Sequence, residues 1–160
     1  MKVKEAVNIL FCGIGGQGVL KASEVAAWAA LYSGYHVKKS EVHGMSQRGG
    51  SVESHLRFGK EVFSPLIPKG SADYLVCFSR EEHMSKKDFL KSGGRDLLPA
   101  LEDAHRALKD KRCLNTFLLG RVSRYLGIKD SCWLAAMGQV FAQRYLEENK
   151  KAFYLGQGEL

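Results

Sequence analysis

The sequence predicts an α/β fold: an open, mostly parallel sheet with a β-hairpin and a helical C-terminal part. Three observations carry that expectation. First, the apolar run Val7-Asn8-Ile9-Leu10-Phe11-Cys12 leads into Gly13-Ile14-Gly15-Gly16-Gln17-Gly18, and an alanine-rich run with helical spacing leaves it. That is the grammar of a strand, a tight turn and a helix. Second, residues 51–58 alternate cleanly, with Val52, Ser54, Leu56 and Phe58 on one face and Ser51, Glu53, His55 and Arg57 on the other. Third, Asp73-Tyr74-Leu75-Val76-Cys77-Phe78 is nearly continuous in apolar residues, as a central parallel strand buried on both faces would be.

Taken in order, residues 7–12 read as the first strand. Residues 19–31 read as a helix in which Leu20, Ala22, Val25, Ala26, Ala29 and Ala30 share a face. Gly34 suits a left-handed C-cap, and residues 35–39 form a short second strand, completing a right-handed βαβ unit. Residues 40–50 show neither period and read as a polar loop. After the strand at 51–58, Gly59-Lys60 turns the chain and residues 61–63 return as its hairpin partner. Residues 64–70 are a loop stiffened by Pro65 and Pro68. Helices are then expected over 81–90, 97–108, 115–126 and 133–146. The third is amphipathic with Arg121 and Arg124 outside, and the tail from Lys151 is loose.

The 160 residues read as a single domain, 1–160, with an apolar fraction of 45% that is enough for a substantial core. No apolar run is long enough to cross a bilayer, and no secretory leader is recognisable, so the expectation is a cytoplasmic protein without a membrane partner. The net charge of +7 is dispersed. Without a basic block interleaved with aromatics, a nucleic-acid partner is not expected. Cys12, Cys77, Cys113 and Cys132 stand too far apart to encode a zinc site or an iron–sulfur cluster locally, and they read as four reduced thiols.

The candidate site lies where open α/β sheets bind ligands, at the carboxyl ends of the strands. Gly13, Gly15 and Gly18 carry the G-x-G-x-x-G spacing, and Gly16 and Gln17 complete the turn at a helix N-terminus that favours an anion. The polar loop adds Glu41, His43, Gln47, Arg48, Gly49 and Gly50. Arg48 beside two glycines can present a planar fork to a phosphate or carboxylate. These eleven residues form the predicted binding set, with no catalytic or metal-ligating residue among them. On its own the glycine spacing is a weak sign of a dinucleotide, because Lys38-Lys39 stands where an NAD enzyme places an acid. His55 and Arg57 read as solvated or covered by a partner. A Val at Gly15 or Gly18 is expected to spoil packing at the helix entry.

The glycine turn together with Glu41-Val42-His43-Gly44-Met45-Ser46-Gln47-Arg48-Gly49-Gly50-Ser51-Val52 is far more specific than either piece. The combination resembles the gamma-type subunit or domain of 2-oxoacid:ferredoxin oxidoreductases, and within that family the small (beta) subunits of the indolepyruvate type. Ser64-Pro65-Leu66-Ile67-Pro68 and Gly70-Ser71-Ala72-Asp73-Tyr74 fit the same pattern, and Leu114-Asn115-Thr116-Phe117-Leu118-Leu119-Gly120 fits it more weakly. One departure is a section of strand and loop that such proteins carry between the equivalents of Gly94 and Leu97.

The resemblance implies a Rossmann-like fold and a reaction in which an aryl 2-oxo acid is oxidatively decarboxylated to an acyl-CoA and CO2 with reduction of ferredoxin. It implies thiamine diphosphate, Mg2+ and [4Fe–4S] clusters in a larger partner subunit, with coenzyme A as co-substrate. The chain alone would be inactive. Two other readings stand beside it: a free-standing NAD(P)-binding oxidoreductase with Lys38-Lys39 near a 2′-phosphate, and a nucleotide- or CoA-binding regulatory module.

Overall fold

A computed structural model describes residues 6–44 and 49–158. Five strands form one open sheet in the order β2-β3-β1-β4-β5. They are β1 (Val7–Ile14), β2 (His36–His43), β3 (Ser51–Gly59), β4 (Ala72–Cys77) and β5 (Leu90–Asp96). Strand β4 runs parallel to both β1 and β5, whereas β3 is antiparallel to β1 and to β2. The α/β class and the open sheet are as expected, but the pairings differ in detail. The hairpin is made by β2 and β3, with Val42 opposite Glu53 and His43 opposite Val52, so residues 40–43 are strand rather than loop. Residues 61–63 are not a strand.

The helix α1 (Val19–Tyr32) joins β1 to β2 across one face of the sheet. Its alanines at 22, 26, 29 and 30 are buried there, as their spacing requires. On the same face lie α3 (Leu98–Ala107), α4 (Leu114–Ser123), α5 (Asp130–Val140) and α6 (Gln143–Gln157). Together they enclose the main core around Phe11, Phe58, Phe78, Phe117, Trp133 and Phe153. The other face carries a smaller cluster of Leu10, Cys12, Ile67, Leu75 and Cys77. It is covered by the loop after β3, by α2 (Arg80–Lys86) and by the 3-10 turn that follows it.

Four expectations are corrected here. The helix expected over 81–90 stops at Lys86, and residues 90–96 form the strand β5. Its sequence, Leu-Lys-Ser-Gly-Gly-Arg-Asp, has no alternation because it is a half-exposed edge with little to bury. The helix expected over 133–146 is two helices, with Phe141 and Ala142 in extended conformation between them. The tail is not loose: α6 returns against α4 and buries Ala152, Phe153 and Gln157. Finally, α4 is buried almost all round. Arg121 does not point outward but donates to the carbonyl of Gly156 (2.8 Å) and to Asp103 on α3 (2.9 Å).

Cysteine chemistry also departs from four reduced thiols. Cys12 and Cys77 are register partners on β1 and β4, with Cα atoms 4.8 Å apart, and are paired as a disulfide. Cys113 and Cys132 are free.

The polar face of β3 is covered by the chain itself. His55 is buried, and its Nδ1 accepts from the backbone N–H of Ile67 (3.0 Å). That leaves Nε2 to donate to Glu53 (3.2 Å). Lys86 of α2 closes on the other carboxylate oxygen of Glu53 at 2.6 Å. Arg57 donates to Asn8 and to the carbonyl of Ser64, each at 2.8 Å. Burial pushes the Glu53 carboxyl up, but Lys86 and His55 outweigh it and hold it below its ordinary value. Such a group contributes stability that is present above its unfolded value and is lost as pH falls through the folded one. Glu53→Gln is expected to cost about 2 kcal/mol at neutral pH. It should also flatten the loss of stability below about pH 4.5. Urea melts across a pH series check both effects; an unchanged acid limb would show that other carboxylates set it.

Candidate functional site at the ends of the central strands

The chain leaves β1 and β4, which are neighbours, in opposite directions. From β1 it passes through α1 to β2 on one side of the sheet, and from β4 through α2 to β5 on the other. A crevice opens at such a switch point, outside the carboxyl ends of the strands. Here it holds a cavity of about 540 Å³, lined among others by Gln17, Ser79, Arg80, Glu102, His105 and Arg106. Both of its arginines are paired: Arg80 bonds Glu102, and Arg106 bonds Asp103 at 2.6 Å.

The glycine turn forms one rim. Gly13 is buried, and a Cβ there would stand 2.7 Å from Val19 and 2.8 Å from Phe78, so the strand end and the helix start are in close approach. Gln17 closes the turn from inside. Its side-chain oxygen accepts from the N–H of Ile14 (2.8 Å), and its amide donates to the carbonyl of Phe78 (3.2 Å). Both ends of that amide are used within the chain, tying the end of β1 to the end of β4. Gly18 caps α1 with φ +84°, a left-handed conformation that L side chains rarely adopt. Gly15 and Gly16 are exposed on the outer edge of the turn.

The β2–β3 loop leans on this turn. The N–H of Gly15 donates to the carbonyl of Gly50 (2.9 Å), and Gly49 lies beside Ile14. Ser51 then donates to Glu82 of α2 (2.7 Å), and Ser79 caps that helix by accepting from the N–H of Glu82. The structure thus brings together Gly13, Gly15, Gly16, Gln17, Gly18, Gly49 and Gly50. Gln47 and Arg48 lie outside the described residues. Glu41 and His43 are on β2, with β3 between them and β1, about 10 Å from the β1 backbone. There Glu41 pairs with Lys39 and lies 3.8 Å from His43. The same intervening strand keeps Lys38-Lys39 from flanking the glycine turn, which removes the geometry a 2′-phosphate site would need.

Asn115, at the start of α4, completes the site. Its amide donates to the carbonyl of Gly18 (3.3 Å), and its oxygen accepts from the N–H of Thr116. Thr116 in turn bonds Asn149 on α6, so a buried polar chain links the glycine turn to the last helix. In the sequence, the Asn at a helix start and the family-like run over residues 114–120 hinted at this role. A Cβ on Gly18 would stand 2.6 Å from Asn115, whereas one on Gly15 meets nothing closer than 3.8 Å. A Cβ thus finds room at Gly15 but not at Gly18, so of the two positions Gly18 is the more tightly constrained.

A family model described as pyruvate ferredoxin/flavodoxin oxidoreductase matches residues 8–100, which contain the turn, the loop and all of the sheet but its first residue, Val7. Indolepyruvate oxidoreductase subunit IorB of Thermococcus kodakarensis is 47% identical over 87 residues, covering 54% of this chain and 43% of that protein. The match thus spans less than half the length of that relative. The 2-oxoglutarate synthase subunit KorC of Archaeoglobus fulgidus is 27% identical over 164 residues, covering 94% of this chain and 86% of that one. The fold is similar to the gamma subunit of a keto/oxoacid ferredoxin oxidoreductase from Geobacter sulfurreducens, with a TM-score of 0.77 at 22% identity over 96% and 97% of the two chains. It is also similar to part of a 2-oxoglutarate:ferredoxin oxidoreductase from Magnetococcus marinus solved with 2-oxoglutarate, coenzyme A and succinyl-CoA. There the TM-score is 0.80 at 21% identity, over 98% of this chain and 31% of that one.

Proposed function

Because this chain belongs to the pyruvate ferredoxin/flavodoxin oxidoreductase family, we propose that it is the small subunit of a heteromeric 2-oxoacid:ferredoxin oxidoreductase acting on an aryl 2-oxo acid of the indolepyruvate type. The observation that carries the reading is the 47% identity to an indolepyruvate oxidoreductase subunit, set beside a family match that spans both the glycine turn and the loop bonded to it. In this reading a larger partner subunit holds thiamine diphosphate with Mg2+, which supplies the decarboxylation, and the [4Fe–4S] clusters that deliver electrons to ferredoxin in the cytoplasm. The donor set of this chain does not fit such a cluster, since Cys12 and Cys77 are bonded to each other.

What this chain contributes is a rigid, exposed rim. Gln17 and Asn115 fix the turn from beneath, leaving Gly15 and Gly16 at the surface, and a Cβ on Gly16 would meet nothing within 4 Å. A partner backbone or a phosphate of coenzyme A can approach such a surface closely, and the N-terminus of α1 favours a negative group there. Gly49 and Gly50, with Arg48 and Gln47 from the same loop, complete the proposed contact. The test is anaerobic purification of the tagged chain from its native cells, followed by an absorption spectrum and a viologen-reduction assay. A brown complex with a larger subunit is expected, reducing the dye only when indolepyruvate and coenzyme A are both present. A colourless chain that purifies alone and is inert would overturn the reading.

A further inference from the structure

We propose that the free edge of β2 pairs with the same edge of a second copy of this chain, in one register, to give a two-fold symmetric dimer with a continuous ten-stranded sheet. The two edges of the five-stranded sheet differ. At β5 the ladder to β4 is interrupted by a register shift between Ala72 and Tyr74, and Gly93 is left-handed, so that edge is blunted. Strand β2 is unbroken over eight residues, His36–His43, with no proline, glycine or bulge, and it pairs only with β3 among the described residues. Edge lysines normally ward off a second strand. Here the guard is offset, because Glu41 stands two residues from Lys39 on the same side of the strand.

Symmetry narrows the choice. Two antiparallel copies related by a two-fold axis normal to the sheet must place one residue opposite its own copy, and paired residues must share a face. With Lys38, Lys39 or Glu41 on the axis, like charges meet directly. With Ser40 on the axis, a small polar residue meets itself, and Lys39 of each copy lies opposite Glu41 of the other, twice over. Val42, which is 45% exposed, is then covered by the aliphatic stem of the other copy's Lys38. The exposed Leu31, Tyr32 and Tyr35 just before the strand add apolar surface at both ends of the contact. Charge and symmetry therefore disfavour the registers centred on Lys38, Lys39 or Glu41, and only the one centred on Ser40 sets Lys39 opposite Glu41.

The test uses the full chain in sedimentation equilibrium across a broad concentration range. A dimer is expected. Lys39→Glu, which sets acid against acid twice, should raise its dissociation constant roughly tenfold or more. The double variant Lys39→Glu with Glu41→Lys should return it to within about threefold of wild type. Ser40→Cys should cross-link into a covalent dimer on mild oxidation, because axis residues are about 5 Å apart between Cα atoms; Lys38→Cys and wild type should not. A chain that stays monomeric, a dimer indifferent to Lys39→Glu, or a Ser40→Cys variant that does not cross-link would each overturn the proposal.

Discussion

Gly156→Ala is expected to lower stability by about 3 kcal/mol and the melting temperature by roughly 6–12 °C. The reason is a backbone-to-backbone contact. A Cβ on Gly156 would stand 2.0 Å from the carbonyl oxygen of Phe117, and one on Gly120 would stand 2.0 Å from that of Phe153. Neither neighbour is a flexible side-chain end, so α4 and α6 must separate. Separation unseats Phe117 and Phe153, both fully buried, and breaks the bond from Arg121 to the Gly156 carbonyl. Gly138 on α5 provides the contrast, since nothing lies within 4 Å of its Cβ position. There Ala should stabilise the helix by about 0.5 kcal/mol. Thermal melts of the two variants should move in opposite directions; a fall of equal size in both would show that helix packing is not the cause.

Gly18→Ala is expected to cost about 2 kcal/mol and to abolish assembly into an active complex. The substitution meets two penalties at once: a left-handed backbone at φ +84°, and Asn115 at 2.6 Å. Moving Asn115 also disturbs the bonds that run through Thr116 to Asn149. Gly15→Ala should leave stability unchanged, its nearest neighbours being at ordinary contact distance. Urea melts of the full chain give the first comparison, and viologen reduction by the assembled enzyme gives the second. Loss of turnover in Gly15→Ala at undiminished stability would identify the outer rim of the turn as a contact surface. Unimpaired turnover would place the contact elsewhere on the loop.

Much of this was legible in the residues because the signals were local. The β1 strand, the glycine turn and α1 follow from an apolar run, a spacing and an alanine face, and β3 from its alternation. What failed was information carried by distant partners. Strand β5 and the outer half of β2 are edges, so neither needs the pattern that burial imposes. The Cys12–Cys77 pair depends on the β1–β4 register, which no spacing between residues 65 apart reveals. The cover over His55 and Arg57 is supplied by the loop after β3, which meets them at Ile67 and Ser64. At the site, the turn was readable, but the bond from Gly15 to Gly50 needs β3 to lie beside β1, and Asn115 reaches Gly18 from 97 residues away.

The return of α6 onto α4 sets a timetable for the newly made chain. Ile9, Phe11, Val76 and Phe78 build the principal apolar face of the sheet from the first half of the sequence, yet much of its cover comes from residues 114–157. Translation delivers the strands first, so this face waits, unsheltered, for the helices still to be synthesised. Closure comes only when Gly156 reaches Phe117, after α4 has been made. The uncovered face is therefore an aggregation hazard while α4 to α6 are still being made.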